Sequence, residues 1–247
     1  MIGTIIRKEL KMFFTSPLAW ILLTLLQLIL TWIFLGRLDG FLEIQSQLLQ
    51  IANPPGVTEI ITLPVFAMAA IVLLMVTPLL SMRLIAEERR YHTLTLLMSA
   101  PISITDIVIG KFLGLMVFFS MAIILIVGLS ISLLLGGDLD FGLIISNTIG
   151  LLLTAASFSA FGLYISSLTA QPAIAAIATL GGLLGLWLVD LVTGENNQWL
   201  QAISLLRHFE RFNQGLIDTF SIAYFVLFIA TFLILTIRHL DGERLRG

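Results

Sequence analysis

The sequence is divided into six apolar runs, each long enough to cross a bilayer, at about 17–36, 60–83, 107–135, 143–168, 173–192 and 221–238. A hydrocarbon layer of roughly 30 Å takes about 20 apolar residues as an α-helix, and a backbone inside it must satisfy its own hydrogen bonds. The runs therefore predict an all-α integral membrane protein, a single six-span domain over 1–247. Composition agrees, with 58% hydrophobic and 11% charged side chains where soluble domains carry about 25% charged residues. A net charge of −2 leaves no basic footprint for nucleic acid. With no cysteine, disulfides, thiolate metal sites and cysteine nucleophiles are excluded. The first run has no A-x-A site and exceeds a signal-peptide core, so it is expected to remain as a span.

Orientation follows from the basic residues. Arg7, Lys8, Lys11, Arg83, Arg89, Arg90, Lys111, Arg238, Arg244 and Arg246 fall on one side, and only Arg37, Arg207 and Arg211 on the other. The positive-inside rule then places both termini in the cytoplasm, as for a protein of the inner (cytoplasmic) membrane. Ahead of the first span, residues 1–16 read as an amphipathic interfacial helix. Ile5, Ile6, Leu10, Phe13 and Phe14 form its apolar side, and Arg7, Lys8, Glu9 and Lys11 carry its charge. Such a helix is expected in the cytoplasmic headgroup layer, with the lipid bilayer as its partner. Between spans five and six, 193–220 is mixed, and pieces of it are expected to dip into the outer face as short helices.

The spans offer little chemistry. Asp190 is the lone acid inside an apolar run and sits near its outer end, and Gln27 reads as a helix–helix hydrogen bond. Gly110 and Gly114, and Gly181 and Gly185, have the spacing that lets helices approach closely. No H-E-x-x-H or G-x-S-x-G occurs, and Asp138-Leu139-Asp140 reads as a solvated external turn rather than a metal site. Gly110-Lys111 lacks the rest of a phosphate loop, since Thr105 replaces its first glycine and Phe112 follows the lysine. The chain is expected to be non-catalytic, with no metal or cofactor of its own.

The most informative interval is Glu87 to Gly114, between spans two and three. Glu87, Glu88, Arg89 and Arg90 read as the charged first turn of a short cytoplasmic helix, with Tyr91, Leu94, Leu97 and Met98 on one face. Pro101 ends it, Ser103 or Thr105 is expected to cap the next helix, and Asp106 lies in that helix's first turn.

This interval resembles the signature of the ABC type-2 exporter permeases. The resemblance rests on Glu87-Glu88-Arg89, Thr93-Leu94-Thr95-Leu96-Leu97, Pro101-Ile102-Ser103 and Gly110-Lys111-Phe112. The family commonly has Gly-Thr-Leu-Glu where this chain has His92-Thr93-Leu94-Thr95. Arg7-Lys8-Glu9-Leu10 is similar to the family's connecting helix, with Ser16-Pro17 leading into span one. His208-Phe209, Gly215-Leu216-Ile217-Asp218 and Tyr224-Phe225 resemble permeases of the gliding-motility type.

The resemblance implies a half-transporter seated on a pair of cytoplasmic ABC ATPase subunits, which bind the ATP and Mg. A second permease copy or a related permease subunit would complete it, and a companion membrane protein with a large extracytoplasmic domain is a further implied partner. The helix from Glu87 to about Ser99 would be the coupling helix. In it Glu87, Glu88, Arg89 and Arg90 would make charged contacts to the ATPase, and Leu94, Leu97 and Met98 would supply packing. The competing expectation is a membrane scaffold that transports nothing and relays the ATPase state to an extracytoplasmic partner.

Overall fold

A computed structural model describes residues 2–48, 55–94, 97, 102–135, 139–193 and 204–244. They form helices α1 (Ile2–Thr15), α2 (Pro17–Leu48), α3 (Thr58–Arg90), α4 (Ile104–Ser132), α5 (Phe141–Leu168), α6 (Pro172–Thr193), α7 (Leu205–Asn213) and α8 (Thr219–Arg244). Among the described residues there is no strand. Six of these helices, α2 to α6 and α8, are long and apolar enough to cross a membrane.

Two helices outrun their apolar segments. α2 continues through Arg37 to Leu48 because that stretch holds no proline and carries three Leu and two Gln with Glu43, all good helix formers. α3 does not stop at Arg83. Leu84, Ile85 and Ala86 are buried and carry the helix on to Arg90. Glu87 to Arg90 are thus the last turn of the second span rather than the first turn of a separate helix. Tyr91 and His92 form a turn there, with His92 at φ 56°. This is the left-handed geometry that commonly ends a helix and that glycine adopts most easily, at the position where the permease pattern has Gly.

α3 begins in a π-helical turn, Thr58–Thr62, and carries a second, Arg83–Glu87, just before its final α-helical residues Glu88–Arg90. The second is tied sideways to α5. The Ile85 and Ala86 amides both donate to Ser166 Oγ, at 3.3 and 3.0 Å. At α3's other end Thr58 Oγ1 accepts from the Asp140 amide at 3.0 Å, while Asp140 Oδ1 caps α5 by accepting from the Leu143 amide at 3.1 Å. Ser103 caps α4 as expected, accepting from the Asp106 amide at 3.0 Å.

α5 is the central post, packed against α3, α4, α6, α7 and α8. Its small and hydroxylated residues, from Ser146 through Ser167, are almost all buried, so neighbouring helices can approach closely. A Cβ on Gly150 would collide with Phe212 Cβ, and one on Gly162 would lie 2.5 Å from Ser81 Oγ. On α4, Gly110 and Gly114 likewise receive Ile5 and Glu9 of α1. Gly181 and Gly185 do not share this role: a Cβ on either meets no atom within 4 Å. Gln27 makes no helix–helix bond through Oε1, which is buried without a partner among the described residues.

Candidate functional site

The charged residues of α1, the end of α3 and the start of α4 converge on one buried corner. α1 runs alongside α4 in the same sense, since Ile5 meets Gly110, Glu9 meets Gly114 and the Phe13 ring lies tilted against Phe118 with centroids 6.1 Å apart. Each pair lies one helical turn beyond the last, so one stripe of α1 (Ile5, Glu9, Phe13) is buried against one stripe of α4. An acid sits in the middle of the first stripe and a base in the middle of the second.

They pair. Lys111 Nζ lies 2.8 Å from Glu9 Oε1 and 2.9 Å from Glu88 Oε1, and the Glu9 and Lys111 side chains are fully buried. Lys8 Nζ reaches Glu88 Oε1 from the rim at 2.7 Å, with its own side chain half exposed. Burial on its own would lower the Lys8 pKa, but the hydrogen bond and charge of Glu88, backed by Glu9, outweigh it and hold the ammonium above its ordinary range. Lys8 therefore stays charged through neutral and mildly alkaline pH, and its contribution is lost only as pH rises through that raised value.

Further pairs extend the corner. Arg89 bonds Glu243 near the end of α8 at 2.6 Å, and Arg83 reaches Ser16 Oγ, at the α1–α2 bend, at 3.2 Å. Four segments distant in sequence are thus fastened together at the end of the bundle where the basic residues cluster.

The sequence-derived residues therefore divide. Glu88, Glu9 and Lys8 belong to the buried network, and Glu88, only 8% exposed, is turned inward instead of being offered to a partner. Glu87 stays partly open, 4.0 Å from Arg83. Arg90 and Tyr91 are exposed, Tyr91 at 66%, whereas Leu94 is buried at 5%. Tyr91 and Leu94 thus do not share one helical face, because the chain turns at His92 between them. Leu97 is half-buried. Met98 lies outside the described residues, as do Asp138, 194–203 and the side chain of Asp190. Arg7 and Lys11 are exposed on the side of α1 opposite its buried stripe. The residue that sequence reasoning missed is Lys111.

At the opposite end, α7 packs against α5. Ser146 Oγ donates to the Phe212 carbonyl at 2.9 Å, and Asn147 Nδ2 donates to the Asn213 carbonyl at 3.3 Å. The residues of the second resemblance cluster here. The His208 ring stacks on Tyr224 with centroids 4.1 Å apart and its Nδ1 lies 3.0 Å from Ser221 Oγ. Gly215 takes φ 82°, and Asp218 both caps α8 and pairs with Arg211 at 2.6 Å. These contacts fasten α7 to α8. Among the described residues no group of His, Cys, Asp and Glu could hold a metal.

A family model described as ABC-2 family transporter protein matches residues 3–241. No curated protein matches the chain.

Proposed function

We propose, from the premise that this chain belongs to the ABC-2 family of transporter proteins, that it carries an ATP-driven conformational change across the inner membrane for export. It is a multi-pass membrane permease subunit of an ABC transporter, and the family implies an ABC ATPase as its partner. ATP and Mg belong to that partner, seated at the cytoplasmic end where both termini lie.

The observation that carries the proposal is the ion-paired corner with an exposed turn directly beside it. Arg90 and Tyr91 protrude one helical turn or less from Glu88, which is locked to α1 and α4 through Lys8 and Lys111. A displacement applied to that turn cannot be absorbed locally. It moves the ends of α3 and α4 and the whole of α1 together, so closure of two ATPase subunits would become a movement of spans. Glu87, Arg90 and Tyr91 are the contacts to the ATPase, and Glu88 is the anchor behind them.

The complex is completed by a second permease copy along α6, where Ile174, Ile177, Gly181, Gly185 and Leu188 form one exposed stripe. A companion membrane protein with an extracytoplasmic domain would meet the outer turns of α2. That helix, about 48 Å long, exceeds the roughly 30 Å hydrocarbon layer and exposes Leu42 and Ile44 beyond Arg37.

The test is affinity purification in mild detergent, with the co-purifying ATPase quantified and its ATP hydrolysis assayed. Exposed Arg and Tyr anchors contribute about 2 kcal/mol or more when truncated, so Arg90→Glu with Tyr91→Ala should weaken ATPase association roughly 30-fold. The bundle should remain intact and inserted. Unchanged ATPase retention and turnover would remove Arg90 and Tyr91 from the contact. Reversal of Glu88 is unsuited to this test, because it breaks the buried network itself.

A further inference from the structure

The outer side of α1 and the flank of α2 form two hollows that differ sharply in chemistry. The first, about 700 Å³, is lined by Thr4, Arg7, Lys8, Leu10, Lys11 and Phe14. The second, about 610 Å³, lies between α2 and α4, with Leu23, Leu28 and Leu125 in its walls and Trp20 and Trp32 at its two ends. The Phe14 and Trp20 rings, edge to face at 5.3 Å, stand between them, and Trp20 Nε1 donates to the Phe14 carbonyl at 3.0 Å. The arrangement is a cationic shelf, an aromatic pair of the kind favoured at the membrane interface, and then an apolar groove.

We propose that this composite surface is a binding site for one anionic phospholipid. Arg7 and Lys11 lie one turn apart, so their side chains are neighbours, and they project directly away from the buried Glu9 stripe. Lys8 is turned aside toward Glu88, which leaves Arg7 and Lys11 to share a phosphodiester. No acid lines the shelf. Below the ring pair, Trp20 to Trp32 covers about 18 Å of helix, somewhat more than one leaflet of a roughly 30 Å hydrocarbon core. That is the depth of one acyl chain. Gln27 lines the groove, but its Oε1 is buried and does not present to the occupant. A bound headgroup would place a negative charge beside Lys8 and so compete with Glu88 for that ammonium. The lipid site follows from the membrane setting alone, whereas this last effect rests on the coupling role proposed for the corner.

The experiment uses the intact chain reconstituted in vesicles of equal parts phosphatidylglycerol and phosphatidylcholine, then extracted in mild detergent for native mass spectrometry. Phosphatidylglycerol should be retained in preference to phosphatidylcholine, and less so at high salt. Loss of two cations facing an anionic headgroup should lower that preference roughly 30-fold in an Arg7→Gln, Lys11→Gln variant. Thr24→Phe, which fills the groove, should reduce retention of both lipids and leave the headgroup preference unchanged. Equal retention of the two lipids by the wild type would overturn the site. So would an Arg7→Gln, Lys11→Gln variant that keeps its phosphatidylglycerol but sheds the ATPase, since the shelf would then be a protein-docking face. Retention of the ATPase by that variant, with the lipid lost, would separate this site from the coupling contact.

Discussion

Lys111→Met should cost the protein about 3–5 kcal/mol, enough to lose the folded bundle in mild detergent. The methionine fits the space of the lysine stem, so packing is not the cause. The cost arises because Glu9 and Glu88 converge on one ammonium, with a single oxygen of each bonded to it. Their remaining oxygens, Glu9 Oε2 and Glu88 Oε2, are buried without a hydrogen-bond partner among the described residues. Without Lys111, the cation left to Glu9 among the described residues is Lys8, at 3.8 Å, and two carboxylates face each other in a desolvated corner. Replacing all three groups, Lys111→Met with Glu9→Gln and Glu88→Gln, removes the uncompensated charge and should recover most of the loss. Thermal unfolding followed by fluorescence-detected size exclusion reads both variants. A single variant within about 1 kcal/mol of wild type would show the ammonium to be hydrated and the corner to be looser than its distances indicate.

The second large effect concerns helix packing. Gly150→Val should destabilise the protein by about 1–3 kcal/mol or more, because the new side chain would collide with Phe212 Cβ and the near edge of its ring. Phe212 anchors α7 on α5, so α7 should detach first, and cysteines introduced into it should gain reactivity toward a water-soluble maleimide. Gly181→Val and Gly185→Val should leave the fold within about 0.5 kcal/mol of wild type, since each faces open space within the chain. Their effect should be on the association of two copies, read by cross-linking. A protein destabilised equally by all three changes would contradict the packing described for α5 and α6.

The six spans were legible because apolar run length is read directly from the sequence, and runs of about 20 residues match a spanning helix where a barrel strand needs only about 9–11. Helix ends were less legible. Arg83 looks like the end of a span, yet Leu84, Ile85 and Ala86 find apolar partners in the bundle and extend the helix to Arg90. Tyr91 and Leu94 have helical spacing, but the turn at His92 depends on one residue's backbone angle, which periodicity does not register. The glycine pairs show why spacing is a weak guide. Gly110/Gly114 and Gly181/Gly185 have the same signature, and only the first pair has a neighbour pressed against it.

The buried corner was visible in outline. Glu9 interrupts the stripe Ile5–Phe13, and Lys111 interrupts the stripe formed by Ile107, Gly110, Gly114 and Leu115, all of them buried. A charge in the middle of an otherwise apolar stripe requires a buried partner, and two such interruptions of opposite sign invite pairing. What sequence spacing does not supply is the distance between them. Read separately, Glu9 passes for a surface charge and Lys111 for a fragment of a phosphate loop.

The π-helical turn at Arg83–Glu87 sets the rotational phase of everything after it. A π turn holds one residue more than the α turn it replaces, so its relaxation would twist the helix end by about 100° and shift it by about 1.5 Å. Glu88 would then point away from Lys111, and the Arg90–Tyr91 turn would swing round the helix axis. The two hydrogen bonds from Ile85 and Ala86 to Ser166 act as a key against that twist, cut into the central post rather than into α3 itself. In the coupling proposed above, torque on the exposed turn would be resisted at Ser166, and a chain lacking that hydroxyl would transmit thrust but not rotation.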